Sequence, residues 1–172
     1  MKEHLGPWGD RGVRGTVEVH KHLVERAVPH EFYRLERPLR RIDEAAAVLG
    51  LDPLIVVAAE LFDSTGSLVL ALTPASSCAS SADVARAVDH GRVRPLSKSR
   101  TAAMTGFLPD WLPPVGHERP SRAILDDALL GTDVVYAAGG DPGVMLILRT
   151  TDLVRATSAL TAPLATLAEP VA

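Results

Sequence analysis

Lysine, cysteine and aromatic side chains are all scarce in this 172-residue chain, and each scarcity closes off a class of function. Of 18 basic residues only Lys2, Lys21 and Lys98 are lysines, the rest being arginine, and the formal charge is −3. That balance gives no global attraction to DNA or to an anionic membrane, so any contact with nucleic acid must come from a local patch. The one cysteine, Cys78, excludes an internal disulfide and a Cys-based zinc cluster. With two Trp, two Tyr and three Phe, the core has to be built from Val, Leu, Ile and Ala. No apolar run approaches the roughly 20 residues that a bilayer-spanning helix needs. Met1 to Arg14 is polar and Gly-rich, without the apolar centre of a signal peptide. The expectation is a cytoplasmic protein in a reducing setting, with no membrane partner.

What is present is globular in character, since 47% of residues are hydrophobic and the length suits one domain with a real core. Val13, Val17, His20 and Val24 recur at helical spacing, with Leu23 beside them, which predicts a helix from about Gly12 that Pro29 ends. Glu31 to Glu36 alternates as a half-buried strand does. Asp43 is placed to cap a helix over 44–49, and Gly50 to close it. The clearest pattern is a hairpin: Leu54 to Phe62, a turn at Asp63-Ser64-Thr65-Gly66, then Ser67 to Thr73. Residues 74–81 read as a polar, flexible segment. Ser81 is expected to cap a helix over 82–89, and Ser97 another over 98–104 closed by Gly106. Four prolines and one glycine make 107–120 an irregular loop. Strands follow at 122–125, 132–138 and 144–149, the last two joined by a turn at 139–143. Thr150 or Thr151 caps a final helix to about Ser158. Interleaved strands and helices with two hairpins predict a mixed sheet with helices packed on it.

Most candidate chemistry dissolves on inspection. His20 and His22 point to different faces of one helix, and His4, His30, His90 and His117 lack ligand-type neighbours, so no metal site is expected. Cys78 sits in a Ser-rich stretch without a nearby cation to activate its thiol. The run from Gly139 to Gly143 lacks the lysine of a phosphate loop and reads as a turn. The Pro-rich loop carrying Phe107, Trp111 and His117 is different, because long rigid loops often wall pockets. It is expected to border the main concave pocket.

The order of features carries a resemblance. Asp43 to Gly50 followed by the hairpin, Thr105-Gly106-Phe107 followed by Pro113-Pro114-Val115-Gly116-His117, Ile124-Leu125-Asp126 with Leu129, Ala138-Gly139, and Thr151 to Thr157 lie in register over about residues 13–160. In this the chain resembles the YbaK-like aminoacyl-tRNA editing domain, the Cys-tRNA(Pro) deacylase family. The resemblance implies an α+β single domain, a mixed and largely antiparallel sheet, partly barrel-like and flanked by helices. It would occupy 12–160 between tails at 1–11 and 161–172. It implies the aminoacylated 3′ end of a tRNA as partner, no DNA, and no cofactor or metal. It further implies Thr105, Gly106, Pro114, Gly116, His117, Asp126 and Gly139 as substrate-binding residues. The family's chemistry depends on a lysine in the first hairpin strand. Here that position falls on Ala58, the basic position after the second strand falls near Ser77, and a glycine pair is replaced by Asp110 and Trp111. No catalytic residue is therefore assigned. Two readings follow: a divergent deacylase of mischarged tRNA whose charge comes from Lys98 or Arg100, or an inactive relative that binds a tRNA end or a small ligand. A structural partner domain, for instance within a homodimer, is a third.

Overall fold

A computed structural model describes residues 14–89 and 91–167 of the chain. The expected N-terminal tail at 1–11, the helix start at Gly12, and His4 and His90 lie outside the described residues. The first helix, α1, spans Thr16–Glu25, with Glu18 reaching back to accept the backbone N–H of Gly15 at 2.7 Å. Its buried face is not the one expected. Val19 and Leu23 are fully buried, whereas Val17 and Val24 stand in solvent. Both faces carry apolar residues, so periodicity alone cannot choose between them; burial goes to the face with the bulkier leucine.

Strand β1 (Glu31–Arg34) is two residues shorter than expected; helix α2 (Glu44–Leu49) follows Asp43, whose carboxylate pairs with Arg41 instead of capping it, and Gly50 closes α2 in the left-handed conformation. The hairpin strands are β2 (Val57–Ser64) and β3 (Ser67–Pro74), paired antiparallel from Val57↔Pro74 to Ser64↔Ser67. The strand starts later than the apolar run because Asp52 caps a 3-10 turn at Pro53–Ile55. The turn is two residues long, Thr65-Gly66, both at positive φ, with Asp63 accepting the Gly66 N–H at 2.9 Å.

The segment read as flexible contains a strand, β4 (Ser77–Ala79). Helix α3 (Ser81–Val88) is capped by Ser80 rather than Ser81, through a 3.0 Å bond from the Asp83 N–H. A short β5 (Arg94–Pro95) leads to α4 (Lys98–Thr105), capped by Ser97 as expected. Strands β6 (Arg122–Asp126), β7 (Val134–Ala138) and β8 (Val144–Arg149) then precede α5 (Thr150–Thr157). Thr150 is the first helical residue, not the cap; its hydroxyl donates to the Thr132 carbonyl at 2.6 Å. Strand β9 (Leu160–Ala162) begins at the expected domain end and β10 (Ala165–Leu167) lies beyond it. Residues 161–167 of the expected C-terminal tail thus enter the sheets: β9 pairs parallel with β6, and β10 antiparallel with β4.

The result is a mixed α+β fold. A five-stranded sheet, β5-β2-β3-β6-β9, meets a three-stranded antiparallel sheet, β1-β8-β7, through a bridge between Val56 and Tyr136. The main core lies between them, where Leu61, Leu70, Leu72 and Leu125 meet Val135, Leu146 and Leu153. Phe107 and Trp111 belong to the interior, at 2% and 1% exposure, and the indole N–H donates to the Val144 carbonyl at 3.2 Å. The Pro-rich loop therefore owes its placement in large part to anchored aromatics.

Candidate active site

Among the described residues, strand β2 is bordered on its outer side at two places. Near its start, Val56 bridges to Tyr136; near its end, Phe62 and Asp63 pair with β5, and the Leu96 N–H donates to the Leu61 carbonyl at 2.9 Å. In an antiparallel strand, alternate residues direct both backbone groups to the same side. Leu61 faces outward, so Ala59 does too. Among the described residues neither bordering element reaches it. The backbone N–H and C=O of Ala59 therefore face a cleft of about 390 Å³ that opens along this edge.

Ala58 lines the cleft, half-buried on the second strand position, opposite Thr73 of β3. Around it are Glu60, Ser77, Cys78 and Thr101, and two ion pairs from other elements. Lys98, in the first turn of α4, donates to Asp110 at 2.9 Å; Arg41 donates to Asp43 at 2.8 Å. The Lys98 side chain is 74% exposed, so its ammonium stands at the mouth rather than the floor. Cys78 is exposed. Glu60 has no ion-pair or hydrogen-bond partner among the described residues, and desolvation raises its carboxyl above the ordinary range. Its side chain is nevertheless well exposed, so the shift reflects the crowding of the cleft floor and not full burial.

The residues expected from sequence lie elsewhere. Thr105 is buried with its hydroxyl satisfied, donating to the Thr101 carbonyl at 2.7 Å and accepting the Phe107 N–H. Gly106 ends α4 at φ 82, where a side chain would strain the backbone and press on Arg14. Gly139 holds β7 close to β8: a Cβ there would lie 2.8 Å from the Val144 carbonyl oxygen. Asp126 is 3% exposed, accepting the Ala128 N–H, while its other oxygen has no partner among the described residues. Pro114, Gly116 and His117 line a second hollow, of about 430 Å³, together with His22, Arg26 and Arg119. In it His117 donates from Nε2 to the Pro113 carbonyl at 2.6 Å, and burial lowers its pKa to about 4. The loop from 105 to 117 thus divides: Pro109, Asp110 and Leu112 border the Ala58 cleft, and 114–117 the second hollow. Neither is the largest, since a depression of about 580 Å³ lies beside Leu130 and Val134. Among the described residues no group of three or more His, Cys, Asp or Glu could hold a metal, and no helix is long and apolar enough to cross a membrane.

Sequence reasoning does not single out Arg41 or Glu60, and it reads Asp43 as a helix cap and not as a cleft residue. For Glu60 a signal is present, because it is the only charge interrupting an otherwise apolar run from Leu54 to Phe62.

The model of the aminoacyl-tRNA editing domain matches residues 36–156, well over half of the chain. The chain belongs to that family. As an editing domain it is aminoacyl-tRNA deacylase-like in function, with tRNA as its partner. Among solved structures, a candidate trans-editing enzyme for prolyl-tRNA synthetase is 27% identical with a TM-score of 0.80, covering 94% of this chain and 99% of that one. A scaffold protein from computational epitope grafting is 29% identical with a TM-score of 0.78 over the same shares. A hypothetical protein is 23% identical with a TM-score of 0.81, covering 87% of this chain and 99% of its own, which speaks to fold alone. None of the curated proteins is detectably similar in sequence.

Proposed function

We propose that the editing domain receives the aminoacylated 3′ end of a mischarged tRNA in the cleft along β2 and hydrolyses its ester slowly, with Lys98 supplying the charge that Ala58 cannot. The observation that carries this reading is that Lys98 and Ala58, 40 positions apart in sequence, line one cleft. Ester hydrolysis needs donors aimed at the carbonyl and a group positioned by binding. The outward N–H of Ala59 is such a donor, fixed by the strand. The Lys98 ammonium is a second positive group, though a mobile one, already shared with Asp110.

A binding module without turnover is the second reading. It is favoured by the same pairing, because Asp110 neutralises Lys98 while nothing at Ala58 replaces the lysine. A deacylation assay over a panel of aminoacyl-tRNAs, run on wild type and Ala58→Lys, separates the two. Turnover by wild type, raised by Ala58→Lys, supports the deacylase. Tight binding of the tRNA end with no hydrolysis by wild type removes it in favour of the binder.

A further inference from the structure

Three of the charged groups in the cleft are carboxylates, and two of these are already matched. Asp43 holds Arg41, and Asp110 holds Lys98, each within 3 Å. Glu60 alone is left over. It follows Ala58 by two residues on β2, so the two share a face of the strand, and both line the cleft. The backbone between them, at Ala59, is the one station of the edge that neither Tyr136 nor Leu96 reaches. A ligand seated here therefore meets one unmatched negative charge, one free carbonyl acceptor and one free N–H donor within two residues of strand.

An aminoacyl ester presents the complementary set. Its α-ammonium carries a positive charge with three N–H donors, and its carbonyl, two bonds away, is an acceptor. We infer that Glu60 is a specificity-determining residue that holds the α-ammonium of the aminoacyl group, with the Ala59 carbonyl as a second acceptor, so that the cleft selects free α-amines over N-blocked ones. This rests on the reading that the cleft takes the aminoacyl end. The desolvation that raises the Glu60 carboxyl acts in the same direction, because an ammonium brought beside it restores the charged form.

The test uses RNA minihelices ending in a 3′-amide-linked amino acid, which cannot be hydrolysed, so that binding is read apart from turnover. Dissociation constants are measured for alanyl and Nα-acetyl-alanyl forms, and for lysyl and Nα-acetyl-lysyl forms, with wild type and Glu60→Gln. Acetylation is expected to weaken wild-type binding about tenfold for both amino acids, the scale of one hydrogen-bonded charge. Glu60→Gln should lose a similar factor for the free amines and bind acetylated and free forms alike. Circular dichroism and the thermal midpoint of the variant check that it is folded; the acetylation arm needs no variant. Equal wild-type affinity for free and acetylated alanyl forms overturns the role of Glu60 while leaving the tRNA-end reading intact. So does retention of acetyl-lysyl binding at full strength, which would move the ammonium to the substrate side chain. Failure of every form to bind removes the tRNA-end reading itself, and this inference with it.

Discussion

Replacing Lys98 by alanine separates an exposed, adjustable charge from a buried, preorganised one. An ammonium about 4 Å from developing negative charge contributes about 1 kcal/mol at the dielectric of water and about 4 kcal/mol at that of a protein surface. The Lys98 side chain is 74% exposed, which puts it toward the watery limit. A fall of roughly tenfold in kcat/KM is therefore expected, against about a hundredfold or more for a fixed oxyanion donor. Folding should hardly notice, since the exposed pair with Asp110 contributes less than about 1 kcal/mol and Asp110 remains solvated when alone. Asp110→Asn acts in the opposite sense: it frees the ammonium and should raise the rate about twofold to fivefold. The assay is single-turnover deacylation of the best substrate from the panel, at two salt concentrations. Screening should shrink the gap between wild type and Lys98→Ala as salt rises. A kcat/KM for Lys98→Ala within twofold of an active wild type would refute the reasoning and return the chemistry to the strand edge alone.

Ala58→Lys should raise deacylation and leave the fold intact, because its half-buried side chain opens onto the cleft. Val57→Lys, placing an ammonium at a site 1% exposed in the main core, should cost about 3 kcal/mol or more in denaturant unfolding; equal stability of the two variants would mean the strand's facing is misread. His117 gives a pH signature: its folded pKa of about 4 lies below the ordinary 6.5, so the unfolded chain binds a proton that the folded chain refuses. Stability is whole above about pH 6.5 and falls by up to about 3 kcal/mol as pH drops toward 4, a loss that His117→Phe should blunt in chemical denaturation across that range. Gly139→Ala should lower the thermal midpoint clearly, since the added methyl meets the Val144 carbonyl in the β7–β8 pair; a shift under about 2 °C would show that the strands part easily.

Elements with a strong local signal are legible in the amino-acid sequence. The hairpin of β2 and β3, the Ser97 cap and the Gly106 stop of α4 all rest on chemistry that acts within a few residues. What escapes such reading is what only distant pairing creates. Ser77–Ala79 carries no period of its own and becomes β4 because Ala165–Leu167 lies beside it; β9 exists because β6 offers an edge. The choice between Val17 and Val19 as the inner side of α1 is equally a tertiary matter. The cleft illustrates the same limit. The order of motifs points to Ala58, and residue type makes Lys98 and Arg100 candidates for the missing charge, but nothing local says that Lys98 and Ala58 line one cavity. The resemblance leads to the right family, while the seven residues it implies as substrate-binding fall at turns, caps and a second hollow instead of at the Ala58 cleft.

The break in the border of β2 has a consequence for how the molecule survives in a crowded solution. Exposed strand edges invite other chains to add on, and proteins generally blunt them with charge, bulges or covering segments. Among the described residues the opening is a single residue long, closed at one end by the Tyr136 bridge and at the other by Leu96 and β5. A foreign strand needs several consecutive stations to gain register, and one is too few. The charge of Glu60 beside it adds a further deterrent. A lone amino acid at the tip of a nucleic acid needs no more than that one station, so the same narrowness that keeps aggregating partners out still admits a ligand of that size.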